Sequence, residues 1–136
     1  MIGIVVVTHL DFGERLLKAA EMIMGPQQAC VSVSLDISAD MHTVLQSLKE
    51  AVRETDQGTG VLVLTDMFGG TPSNLSLSLL SANKLEVMTG VNLPMLLKIL
   101  GGRDKPLAEL VSEAKAAGRQ GILVAGEVLR RKVANG

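Results

Sequence analysis

Two short apolar runs constrain this chain more than any other feature: Ile2–Thr8 ("IGIVVVT") and Gly60–Thr65 ("GVLVLT"). A strand with one wet face alternates apolar and polar residues, whereas a continuous β-branched run is buried on both faces. Two such strands need helices above and below them. The chain has 136 residues and is 47% hydrophobic, the size and content of one ordinary domain with a full core. With no Trp or Tyr and two Phe, that core is made of Leu, Val, Ile, Met and Ala.

The intervening segments supply the helices. Asp11-Phe12-Gly13-Glu14 has the spacing of a helix start. Phe12, Leu16, Ala19, Ala20 and Ile23 follow at helical intervals until Gly25-Pro26. Cys30–Leu35 alternates, as a strand exposed on one face does. Met41, Val44, Leu45, Leu48 and Val52 mark an amphipathic helix from Asp40 to about Thr55. Thr71-Pro72 reads as a helix start with a hydroxyl N-cap and proline at the first helical position, running to about Leu80. Leu85–Thr89 reads as a strand, Met95–Leu100 and Pro106–Ala117 as helices, and Gly121–Gly126 ("GILVAG") as a short fifth strand before a basic tail from about residue 127.

Alternating strands and helices with right-handed crossovers give a doubly wound α/β sheet. The expected parallel order is 2-1-3-4 plus a C-terminal antiparallel edge strand, with helices on both faces, in a single domain over residues 1–136. In such a sheet ligands bind beyond the C-terminal strand ends at the switch point, here between the first and third strands. The first strand ends in His9 and the third in Asp66.

Taken singly, His9 is a capped strand end and Asp66 a solvated turn residue. As neighbours they do more: a carboxylate bound to one imidazole nitrogen fixes the tautomer and leaves the other as a nucleophile. Gly69-Gly70-Thr71 then opens a helix, whose bare N–H groups and dipole suit a phosphate. Nucleophile, orienting carboxylate and cradle make a phosphohistidine site. The Gly-Lys-Ser/Thr of a nucleotide-binding loop is absent, so the phosphoryl donor is expected to be another phosphoprotein. Leu10, Phe12, Met67 and Phe68 surround these residues in sequence and suit a partner surface, and Met88–Met95 ("MTGVNLPM") is placed on the far side of the cleft. His42 reads as a surface residue and Cys30 as a small buried one. No second His or Cys stands near His9 to complete a metal site, and no cofactor is called for.

Thirteen basic and 14 acidic residues are spread along the chain, for a net charge of −1, and no basic stripe suggests nucleic acid. Short apolar runs and the lack of a leader pattern predict a soluble cytoplasmic protein.

The strand ending in His9, "MIMGP" at Met22–Pro26, "VLTDMFGGTPSN" at Val63–Asn74 and "TGVNLPMLLKIL" at Thr89–Leu100 together resemble the IIA domain of the mannose family of the bacterial phosphotransferase system, over roughly residues 2–126. The resemblance implies that His9 is phosphorylated through Nε2 by the phosphocarrier HPr and passes the group to a IIB protein. It implies that Asp66 serves the other ring nitrogen and that the Thr71 hydroxyl lies beside the phosphoryl group. It also implies a homodimer in which the last strand, here "GILVAG", crosses to the partner's sheet, and contact with the membrane only through IIC and IID proteins. With no attached IIB domain, the acceptor is expected to be a separate protein, or there is none. The alternative is a regulatory phosphotransferase-system module that binds a partner without serving sugar uptake. One departure stands out: family members commonly carry Gly after the histidine, and this chain has Leu10, a residue ill suited to positive φ.

Overall fold

The computed structural model describes residues 1–36, 38–67, 69–80 and 84–135. Four parallel strands, β1 (Gly3–His9), β2 (Cys30–Leu35), β3 (Val61–Thr65) and β4 (Leu85–Met88), lie in the order β2-β1-β3-β4. The helices are α1 (Phe12–Met24), α2 (Met41–Thr55), α3 (Thr71–Leu77), α4 (Leu93–Leu100), α5 (Leu107–Gln120) and α6 (Ala125–Asn135).

The period of two along each strand divides the core into two layers. Ile2, Ile4, Val6, Leu62, Leu64 and Met88 face α1, α4 and α5, meeting Leu17, Ala20, Leu96, Ile99, Leu110 and Ala114. Val5, Val7, Val61, Val63 and Leu85 face the other way, toward Leu48, Ala51 and Val52 of α2 and toward Leu79. All of Ile4–Val7 and Val61–Leu64 are wholly buried. Each such side chain contributes about 1.5–3 kcal/mol relative to exposure, so the continuous runs are the centre of the fold. β2 lies at the edge of the sheet and is half-buried along most of its length, without the one-face exposure that its alternation predicts.

Local differences have local causes. The buried stripe of α1 is Gly13, Leu17 and Ala20, one residue out of phase with the predicted set at its ends, and Phe12 and Ile23 are exposed. Asp11 makes no cap bond; its carboxylate instead takes Arg15 Nε at 3.3 Å. At α3, Gly70 is the N-cap and Thr71 the first helical residue, so the Thr71 hydroxyl does not cap the helix. Cys30 is half-buried, and burial pushes its thiol up to about 11 against the lowering effect of the Arg103 guanidinium and alongside the raising effect of Glu21, which keeps it protonated at neutral pH.

The expected fifth strand is absent from the chain's own sheet. α5 ends directly at Gly121, and Ile122, Leu123 and Val124 carry no strand pairing and stand exposed. From Ala125 the sequence turns helical: Ala, Glu, Leu, Arg and Lys are strong helix formers, and the Val124 carbonyl already accepts from Glu127 and Val128. The stretch read as a basic tail lies in α6.

At the opposite end of the sheet from His9, Gly3 sits where the last turn of α2 crosses β1. A Cβ there would lie 2.3 Å from the Thr55 carbonyl oxygen. Gly3→Ala is expected to destabilise the fold by about 1–3 kcal/mol through overpacking. Urea unfolding checks this, with a lower midpoint at unchanged slope.

Candidate functional site

β1 and β3 are hydrogen-bonded neighbours with Val7 opposite Thr65, so the residues that follow emerge side by side. Asp66 leaves β3 and turns its carboxylate back over β1. One oxygen, Oδ2, accepts from the His9 backbone N–H at 3.1 Å and lies 2.7 Å from His9 Nδ1. The other, Oδ1, accepts from the Met67 N–H at 3.1 Å. Burial pushes the Asp66 carboxyl up, but the bonds from the His9 ring and main chain, and the charge of that ring, outweigh it and hold the group below its ordinary value. An ionised Asp66 keeps the proton on Nδ1 and leaves the Nε2 lone pair free. Exposure separates the roles: the His9 side chain is 49% accessible and that of Asp66 17%.

The glycine loop closes against the ring. Gly69 has φ +84, a left-handed conformation, and Gly70 lies so close that an added Cβ would be 3.1 Å from His9 Cε1 and 3.7 Å from Nε2. The backbone of the loop therefore reaches the edge of the imidazole that carries Nε2. A cavity of about 560 Å³ opens over His9, lined by Leu10, Leu35, Asp36, Met41 and Thr71.

The site thus gathers His9, Asp66, Gly70, Thr71 and Leu10 as the sequence predicts. Leu10 does adopt the unfavourable conformation, φ 50, with its N–H held by the Leu35 carbonyl at 2.6 Å. Leu10, Phe12 and Met67 are exposed around the histidine; Phe68 lies outside the described residues. Met88–Met95 does not line this cavity. Val91 N–H binds the Thr65 carbonyl, Asn92 caps α4 through Met95 N–H and ties it to Gly118 of α5, and Met88, Thr89, Gly90, Asn92 and Met95 line a separate groove beside β4. Met41, predicted as part of the buried helix face, instead borders the cavity; as the first residue of α2 it lies beyond the sheet. Leu35 and Asp36 end a strand adjoining the switch point, a signal present in the sequence but unused. His42 is exposed on α2. Among the described residues no cluster of His, Cys, Asp and Glu could hold a metal ion, and no helix is long and apolar enough to cross a membrane.

The depressed Asp66 carboxyl fixes a pH dependence. Its folded value is below its unfolded value, so its contribution is present above the unfolded value of about 3.9 and lost as pH falls through the folded one. The stability difference between wild type and Asp66→Asn should therefore shrink as pH falls below about 4, read by urea unfolding across pH.

The site invites comparison with known proteins. The family model described as the fructose IIA component of the phosphotransferase system (PTS) matches residues 3–115. The PTS fructose-specific EIIA component of Bacillus subtilis (strain 168) is 31% identical over 138 residues, covering 99% of this chain and 94% of that protein. The PTS mannose-specific EIIAB component of Escherichia coli (strain K12) is 36% identical over 124 residues, which span 89% of this chain and 38% of that longer protein. The crystal structure of the phosphotransferase-system component EIIA from Streptococcus agalactiae matches with a TM-score of 0.86 at 30% identity, over 93% of this chain and 99% of that one. Similarity of this extent in both sequence and backbone means that the chain belongs to the PTS fructose IIA component family.

Proposed function

We propose that this protein is a phosphoryl carrier of the phosphotransferase system, accepting the group from phospho-HPr on His9 Nε2 and handing it to a IIB protein during carbohydrate uptake. The observation that carries the reading is the 2.7 Å pairing of His9 Nδ1 with a shielded, ionised Asp66, which leaves Nε2 as the open nitrogen. Family membership supplies the class of reaction.

The chemistry follows from the atoms present. Nε2 attacks the phosphorus, the N–P bond to the donor imidazole breaks, and the donor ring keeps the bonding pair. His9 retains its Nδ1 proton, so the phosphorylated ring carries positive charge beside the Asp66 carboxylate. That pairing strengthens as the new bond forms, which is where stabilisation raises rate. Transfer to the acceptor is the reverse, and no metal or nucleotide takes part. The Gly69 and Gly70 backbone and the Thr71 hydroxyl are assigned to the phosphoryl oxygens; the closeness of Gly70 to the Nε2 edge supports this. Leu10, Phe12 and Met67 form the docking rim, and Phe68 is assigned there from sequence.

Assembly belongs to the same proposal. Among the described residues β4 is an edge strand paired only with β3, and Ile122 lines the groove that runs along Glu86–Gly90. The exposed Ile122–Val124 segment fits the edge of a second copy in a homodimer with exchanged C-terminal segments, since an apolar strand and an open edge satisfy one another.

Three outcomes are expected. His9→Ala should abolish phosphoryl acceptance from phospho-HPr while leaving circular dichroism unchanged; labelling that persists would move the nucleophile to His42. Asp66→Asn should slow acceptance by less than the ~10⁴-fold seen when a triad carboxylate is lost, because the incoming group is already activated; rapid-quench labelling gives the rate, and a wild-type rate would make Asp66 a turn residue only. Truncation after Gly118 should give aggregating or unstable protein, and a soluble folded monomer by sedimentation would overturn the exchanged dimer.

A further inference from the structure

We propose that Thr8 is a positioning residue for phosphoryl transfer: its buried hydroxyl locks the turn that carries the His9 imidazole. The inference rests on the carrier reading of His9. Thr8 precedes the histidine in an otherwise apolar run and is wholly buried. Its Oγ1 accepts from the Gly13 backbone N–H at 2.7 Å and donates to the His9 carbonyl at 3.3 Å.

Both contacts meet a specific need. Gly13 N–H belongs to the first turn of α1, where helix amides have no partner within the helix. Asp11, the N-cap, makes no side-chain capping bond, so Thr8 supplies the missing acceptor from the strand below. The fit is close: a Cβ on Gly13 would lie 2.8 Å from Val6 Cγ1 and 3.0 Å from both Thr8 Cγ2 and Oγ1. The helix start is thus fastened to β1 across the short loop of residues 10–11.

That loop contains Leu10 at φ 50, a conformation that costs free energy in a residue with a branched side chain and persists only when its surroundings impose it. Two bonds impose it here, one from the Gly13 N–H to Thr8 Oγ1 and one from Leu10 N–H to the Leu35 carbonyl. Without the Thr8 hydroxyl, Leu10 relaxes toward negative φ and the His9 main chain turns with it. The imidazole then swings relative to Asp66. Thr8 touches neither the phosphoryl group nor Nε2, so its effect passes entirely through His9.

The test compares Thr8→Val, which keeps the shape and removes the hydroxyl, with Thr8→Ser, which keeps the hydroxyl. Two readouts are used: kcat and KM for acceptance from phospho-HPr, and the ¹⁵N spectrum of the His9 ring, which reports its tautomer without any partner. Thr8→Val should lose about tenfold to a hundredfold in kcat, the scale of a small misplacement of a reacting group, and should shift the ring from the Nδ1–H form to a mixture. Thr8→Ser should restore both. In a Leu10→Gly background the left-handed turn needs no imposing, so adding Thr8→Val should leave the ring spectrum unchanged; this pair also serves if Thr8→Val alone does not fold. A wild-type tautomer and kcat in Thr8→Val, failure of serine to rescue, or an equal shift in the Leu10→Gly background would each overturn the proposal. Failure of the wild-type protein to accept phosphate would instead refute the carrier reading, and the ring spectra would still decide the role of Thr8.

Discussion

β1 and β3 lie side by side, parallel, in register and without a water-exposed face. A slip of one residue would move every apolar side chain to the opposite layer, so the pairing has one allowed register. The ends of the two strands are therefore fixed relative to one another before any site residue is considered. His9 and Asp66 follow that fixed pair within two residues, and their 2.7 Å contact is inherited from the core. Rigidity at the site comes from hydrophobic packing several residues away, which is where a carrier that must meet two protein partners can place it without obstructing either.

The electrostatics follow from exposure. A wholly buried histidine would not reach a partner, and a fully solvated aspartate would pair with it only weakly. Here the carboxylate is shielded and the ring half-open, so the charge interaction acts on the nitrogen facing inward while the outward nitrogen stays available. The glycine loop has the complementary role: lacking side chains, it lets backbone approach the ring edge more closely than any other residue would permit. Leu10 departs from this economy. It takes a conformation suited to glycine, and neighbouring bonds to Thr8 and Leu35 hold the local backbone in place. In return the chain gains an exposed apolar side chain next to His9 in the chain.

Much of this was legible from residue order. The continuous apolar runs required a two-sided sheet, the alternation at Cys30–Leu35 marked a partly exposed strand, and glycines and prolines punctuated the helices. Right-handed crossovers then set the strand order, and the switch point named His9 and Asp66. The expectations that failed share a cause. The capping role of Thr71, the buried phase of α1, the placement of Met41 and the position of Met88–Met95 all depend on where an element sits relative to its neighbours, which spacing along the chain does not encode.

The C-terminal segment marks the boundary most sharply. Its apolar residues identify Gly121–Val124 as something to be covered, but a strand exists only where an edge accepts its hydrogen bonds, and helix propensity claims the residues from Ala125 onward. The sequence by itself determined the layered sheet, its order and the two residues at its switch point, because burial and chain handedness are properties of composition and order. Only the tertiary structure decided that one Asp66 oxygen grips both the main chain and the ring of His9, and that the Thr8 hydroxyl reaches Gly13, because those contacts depend on distances of a few ångströms between elements that the core, not the local sequence, sets.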